Sequence, residues 1–263
     1  LEQPAGNIVN GSSHLLTDED GAPVIVENPG GASPVLLLGD HAGRAVPVQL
    51  RNLGLSDGEL GRHIGWDIGV AGLGGLLARR IDATFLRQRF SRLVIDCNRT
   101  PGHPGSISEV SDGTAVPANQ GLAQTDRDAR RREIFDPYHG AIAEALNARQ
   151  AVARPTLLLA LHSFTPSMDG FDRPWRFGVL HRGESAFSSA MLAALRTRFG
   201  EAVGDNQPYS MDGTDFTIPH HADARGLDYL ELEVRQDTIA TPEQQTEVLP
   251  GLADALTDAL SRL

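Results

Sequence analysis

Two aliphatic runs, PVLLLGDHAG at residues 34–43 and TLLLALHSFTP at 156–166, each lead directly into a histidine. Uninterrupted apolar runs closed by Gly or Pro are the pattern of parallel strands buried on both faces, where neither alternate set of side chains meets water. Strands of this kind need helices above and below them. In open α/β sheets ligands bind beyond the carboxyl ends of the strands, which is where His41 and His162 fall.

The remaining pattern agrees with such a sheet. A short alternating piece, APVIVE, suits a sheet edge, and ATFLRQRF and RLVID read as two further strands, the second ending at Asn98 and Arg99 before a Pro-Gly break. Leu60, Ile64, Ile68, Leu73, Leu76 and Leu77 repeat at helical spacing, predicting one helix over Ser56–Arg80 with Ser56 and Glu59 as a capping box. Asp67 then sits on that helix. Residues 101–124, rich in Gly, Pro, Ser and Asn, read as a loop long enough to serve as a functional lid. Helices are expected over Thr125–Arg149, interrupted at Pro137, over Ser185–Phe199, and over Pro242–Leu263, the last preceded by the strand LDYLELEVRQD. Strands alternating with helices predict an α/β fold. The expected form is a single-domain three-layer sandwich around a mostly parallel mixed sheet, with 1–33 as a polar lead-in and 34–263 as the catalytic domain.

A net charge of -11 sets the field around the molecule against phosphate backbones and anionic lipid, so no nucleic-acid or membrane partner is expected. No apolar run approaches the roughly 20 residues of a membrane span. The opening LEQPAGNIVNGSS lacks the basic and apolar regions of a signal peptide, and cytoplasm is the expected compartment. With Cys97 as the single cysteine, an internal disulfide and an all-cysteine zinc site are excluded. Oligomeric state is not legible.

Strand ends that carry His41, Asn98-Arg99 and His162 converge on one edge of a parallel sheet. A fourth strand places Glu231, Glu233 and Arg235 on one face, with Leu232 and Val234 on the other. Two histidines with acids and arginines in one crevice suit a hydrolytic metal site: imidazoles and a carboxylate hold Zn²⁺, one position stays open for water, and a further carboxylate takes its proton. The competing reading of the same residues is a salt-bridged, solvated edge strand and structural histidines.

Eight segments, DHAGRAVP, HIGWDIG, SRLVIDCNR, SDGTAVPANQGL, FDPYHGAI, LHSFTP, RPWRFGVL and LDYLELEVRQD, appear in an order that resembles the N-formylglutamate amidohydrolase family. The resemblance runs from about Pro34 to Asp237. It implies a fold similar to zinc carboxypeptidases and aspartoacylases, a zinc-exopeptidase (phosphorylase/hydrolase)-like architecture, with one zinc per chain. It further implies His41, Asp67 and His162 as the metal ligands and Glu233 as general base, with Glu231 as the fallback. Arg44 stands where the carboxypeptidase pattern has a glutamate, which keeps Glu59 and His63 open as third ligand. Asn98 and Arg99 resemble the pair that holds a substrate carboxylate; Arg173 and His221 are further substrate-binding candidates. The implied reaction is hydrolysis of the amide of a small anionic N-acyl amino acid, such as N-formyl-L-glutamate. Two other readings stand beside it: a serine hydrolase using Ser163, disfavoured by the missing GxSxG elbow, and a catalytically silent anion-binding protein on the same fold.

Overall fold

A computed structural model describes residues 14–263; the first thirteen residues of the expected lead-in lie outside the described residues. Seven strands form one sheet: β1 (Val24–Glu27), β2 (Val35–Gly39), β3 (Thr84–Gln88), β4 (Leu157–Phe164), β5 (Phe177–Leu180), β6 (Val203–Asp205) and β7 (Tyr229–Arg235). Their order is β1-β3-β2-β4-β7-β5-β6. The central β3, β2, β4 and β7 are mutually parallel, whereas β1 runs antiparallel to β3 and β5 antiparallel to β7. APVIVE is therefore an edge strand, as its alternation predicts. The strand carrying the two glutamates is interior, which removes the solvated-edge reading.

Alternate side chains of β2 and β4 fill two separate cores. Val35, Leu37, Leu159 and Leu161 pack on one face with Leu230, Leu232 and Val234 against three helices, α1 (Val70–Arg80), α3 (Ala186–Phe199) and α4 (Pro242–Leu260). Leu36, Leu38, Leu158 and Ala160 pack on the other against α2 (Asp136–Ala151), the short helix Thr217–Ala222 and the irregular segment around Leu93–Cys97. Each leucine so buried contributes about 2 kcal/mol of transfer free energy, which commits the run to a central position. The result is the three-layer α/β sandwich. No helix among the described residues is long and apolar enough to cross a membrane.

Three local expectations change. RLVID is not a strand: residues 92–94 form a turn, and Asp96 closes onto the Ser106 carbonyl through its backbone amide. The apolar Leu93, Val94 and Ile95 fill the second core from that turn, which mimics a strand pattern in sequence. The helix expected over Ser56–Arg80 splits into a short turn at Asp57–Leu60, where the capping box forms, and α1. Gly69 breaks it with φ +86, where a Cβ would also lie 2.1 Å from the Ile239 carbonyl oxygen. Around Pro137 the chain stays helical but changes form: Gln124–Arg130 is α-helical, Arg131–Phe135 is a π-helical turn, and α2 follows with Pro137 in its first turn.

Candidate active site and metal centre

β2 and β4 lie side by side and parallel, so the residues that follow or end them emerge at one edge. After β2 the chain must turn at once against residues 88–89; at Gly43 a Cβ would lie 2.0 Å from the Arg89 carbonyl oxygen. That turn leaves Asp40 and His41 buried at the strand end. Asp67 reaches the same point from the loop before α1, and its amide donates to the His41 carbonyl at 2.9 Å. Asp67 is thus loop-borne, unlike the helical placement expected of it.

His41, Asp67 and His162 offer ligand atoms that all lie within 4.8 Å of one another, and each residue is no more than 4% exposed. His162 Nδ1 lies 3.1 Å and His41 Nδ1 3.7 Å from Asp67 Oδ2. Ligands at 2.0–2.1 Å around a tetrahedral Zn²⁺ stand about 3.4 Å apart, a value these two separations bracket. The far nitrogen of each ring meets another acid: His41 Nε2 lies 2.7 Å from Asp96 Oδ1 and His162 Nε2 3.5 Å from Asp40 Oδ2. Carboxylates in that position fix the tautomer and orientation of metal-binding imidazoles. Arg92 joins Asp67 to Asp96, at 3.5 and 2.8 Å.

Burial and Arg92 would strip the proton from His41, yet Asp96 and Asp67 hold its pKa above the ordinary histidine value. Burial likewise opposes a charged His162, and Asp40 and Asp67 reverse the outcome. Asp67 and Asp96 in turn stay far below the usual carboxylate range despite burial, held by the imidazoles and, for Asp96, by Arg92. Metal ligation takes neutral imidazoles, so a divalent ion would displace ring protons and itself supply positive charge beside these acids. The donor set fits a metal.

Glu233 stands in register with His162 on the adjacent parallel strand, so both side chains project to the same face. Glu231 lies two residues back on that face, beside Ala160. Both are buried, and Glu233 Oε2 and Glu231 Oε1 have no hydrogen-bond partner. Burial pushes Glu233 up to about 7, Asp67 adding to the rise while His162 and His41 oppose it. Burial pushes Glu231 up to about 8, His162 opposing and Asp215 and Asp40 adding. These groups face a cleft of about 600 Å³, a size suited to a small molecule.

A model of the N-formylglutamate amidohydrolase family matches residues 33–240. The chain belongs to that family. Membership makes it a hydrolase acting on amide bonds. Gene product Atu2144 of Agrobacterium tumefaciens is 35% identical, with a TM-score of 0.90 over 94% of this chain and 98% of that one. An N-formylglutamate amidohydrolase from Ralstonia eutropha is 21% identical and shares the fold, with a TM-score of 0.67 over 92% of this chain and 98% of its own. Among curated proteins none matches the sequence.

Other expected site residues of this family member divide into those at the cleft and those behind it. Asn98 and Arg99 line the cleft, but the Asn98 amide is spent internally: its oxygen accepts from the Phe216 and Thr217 amides and its nitrogen donates to Asp215. Arg99 Nη1 donates to Asp215 at 2.9 Å and to the Asn98 carbonyl. Arg173 and His221 are not among the cleft-lining side chains. Arg173 lies beneath it, donating to Thr165 and to the hydroxyl of Tyr209, a lining residue with no signal in the sequence. His221 is stacked on His139 in the second core. The cluster gathers Asp67 and neither alternative: Glu59 caps its short helix, and His63 faces Asp112 at 3.4 Å. Ser163 Oγ donates to the Ile68 carbonyl and has no histidine partner, so no serine dyad forms.

Asp40, Arg92 and Asp215 complete the site without having been singled out as site residues. Asp40 had a signal, its place beside His41 at the strand end. Arg92 and Asp96 had one too, an i,i+4 pairing hidden by the strand-like apolar run of RLVID.

Proposed function

We propose that this chain hydrolyses the amide of a small N-acyl amino acid, with an N-formyl group as the first acyl to test. His41, Asp67 and His162 would hold one divalent ion, Zn²⁺ by the N,N,O character of the donors. When bound, such an ion supplies Lewis acidity to water and to the amide carbonyl. Glu233 takes the proton that the attacking water loses as its oxygen bonds to the carbonyl carbon. The same carboxyl then protonates the amide nitrogen as the C–N bond breaks, releasing an acid and an amine. A carboxyl held near neutrality by burial suits both transfers. Asp96 and Asp40 orient the two imidazoles, and Arg99 is the side chain proposed to receive the amino-acid carboxylate, with Asn98 bracing the loop that carries it. Arg173 acts at one remove, positioning Tyr209.

The observation that carries this reading is the in-register pairing of Glu233 with His162, which sets a candidate base beside a three-donor cluster in one cleft. Its test is single-turnover hydrolysis of N-formyl amino acids by zinc-loaded protein, with metal content measured in parallel. Glu233→Gln is expected to keep the metal and lose turnover by about 10²–10⁴-fold. Full activity in a metal-bearing Glu233→Gln protein would overturn the assignment.

A further inference from the structure

Asp96 and Asp40 stand in like places, one behind each of the two cleft imidazoles, but they are held by different means. Asp96 accepts from Arg92 and from the Asn98 amide, each at 2.8 Å, besides meeting His41. The Asp40 carboxylate has no guanidinium or backbone amide on it among the described residues. It is 1% exposed, and its hydrogen bond comes from the Thr217 hydroxyl, which donates to Oδ1 at 2.9 Å. Tyr138 also lies beside Asp40, but its buried hydroxyl makes no hydrogen bond. The other carboxylate oxygen, Oδ2, faces His162 Nε2 at 3.5 Å, and neither of these atoms has a hydrogen-bond partner elsewhere.

Thr217 is itself fixed in place. Fully buried at the start of the short helix Thr217–Ala222, it donates its amide to Asn98 Oδ1 at 2.9 Å, and the Phe216 amide adds a second bond at 3.0 Å. Its hydroxyl carries one hydrogen and has two acceptors in reach, Asp40 Oδ1 at 2.9 Å and the Cys97 carbonyl at 3.2 Å. The carboxylate is the nearer of the two, and a charge-assisted hydrogen bond is the stronger kind. The hydrogen therefore goes to Asp40.

We infer that Thr217 is a positioning residue for the metal centre: its hydroxyl fixes the Asp40 carboxylate, Oδ2 is thereby aimed at His162 Nε2–H, and Nδ1 is left turned to Asp67. This rests on the three-donor metal reading above. A carboxylate behind a metal-binding imidazole sets the tautomer and the ring plane, and it does so only if its own orientation is fixed. Arg92 fixes Asp96 from the cleft, whereas Asp40 is fixed from the second core, through the one hydroxyl that reaches it. Asn98 belongs to the same path, since its side-chain oxygen holds the Thr217 amide.

Two readouts test this, neither of them turnover. In a chelator competition on protein shown by circular dichroism to be folded, the near-isosteric Thr217→Val is expected to bind zinc about tenfold more weakly than the wild type, and Thr217→Ser, which keeps the hydroxyl, to stay within about threefold. In an Asp40→Asn background Thr217→Val should add less than about twofold, because the path is already cut. Wild-type zinc affinity in folded Thr217→Val, equal weakening in Thr217→Ser, or an undiminished loss on top of Asp40→Asn would each overturn the assignment. If Thr217→Val does not fold, Thr217→Ser against Thr217→Ala isolates the hydroxyl, with the same margin of about tenfold expected between them. A wild type that takes up no zinc sinks the metal reading by itself, and histidine ring-proton NMR of the metal-free protein then decides. There the His162 Nε2–H is expected as a slowly exchanging signal, kept in Thr217→Ser and lost in Thr217→Val; a signal absent from the wild type, or unchanged in Thr217→Val, overturns the positioning role.

Discussion

Two histidine pairs lie buried in this molecule, and burial treats them alike while their neighbours do not. His41 and His162 sit edge to face with centroids 5.1 Å apart, and His139 and His221 stack at 5.2 Å. The first pair is ringed by Asp40, Asp67 and Asp96, which raise both pKa values above the ordinary histidine value. The second has no carboxylate partner. His139 Nε2 donates to the Cys97 carbonyl at 2.9 Å, so its Nδ1 accepts from His221 Nε2 at 3.0 Å. Burial pushes His139 down to about 4 and His221 down to about 3, so both are neutral at pH 7. A histidine in a core is therefore structural or functional according to the acids brought to it, which burial by itself does not reveal.

The comparison breaks first at the metal. Removing a proposed ligand with His41→Ala or His162→Ala should abolish stoichiometric zinc and hydrolysis together, whereas His221→Phe should retain both; elemental analysis on protein purified without a histidine tag separates the outcomes. Loss of zinc in His221→Phe as well would show that the two pairs are not independent. Next in size is the oriented carboxylate: Asp96→Asn should weaken zinc affinity by about 10–100-fold, read in a competition titration against a chelator.

The pairs should also respond oppositely to pH. His139 and His221 have folded-state pKa values below their unfolded ones, so the unfolded chain takes up protons first as pH falls. Their contribution to stability is complete above the unfolded value of about 6.5 and erodes toward pH 4 by as much as about 1.4 kcal/mol per pH unit for each proton. His41 and His162, raised in the metal-free protein, contribute below that value and lose the contribution as pH rises through their folded values. Denaturant unfolding of metal-free protein across this range should show a shallower acid-side loss in His221→Phe than in the wild type. Equal slopes would mean that His221 is not buried neutral. The smallest effect concerns the residue beside a ligand: Ser163→Ala should change kcat by no more than about twofold, since its hydroxyl only caps the Ile68 carbonyl at a cost of about 1 kcal/mol in stability.

Much of this was legible in the chain because strands buried on both faces leave a plain signature. PVLLLG and TLLLAL announce central strands, and the position of His41 and His162 at their ends follows from parallel geometry. Period two likewise puts Glu231 and Glu233 on one face. The turn at 92–94 carries a strand-like pattern because apolar residues fill a core from a turn as readily as from a strand. Arg173 and His221 look like substrate contacts in sequence, and packing sets one against Tyr209 and the other against His139.

The sequence by itself determined the α/β class, the strands that carry the histidines, the acidic balance and the family. Tertiary structure alone decided which acid completes the cluster and which arginines remain available. Those are matters of distance between residues far apart in the chain: Asp67 reaches His162 across 95 positions and Arg99 is met by Asp215 across 116. Local periodicity encodes the direction of a side chain on its own element. It carries no information on what another loop brings to meet it.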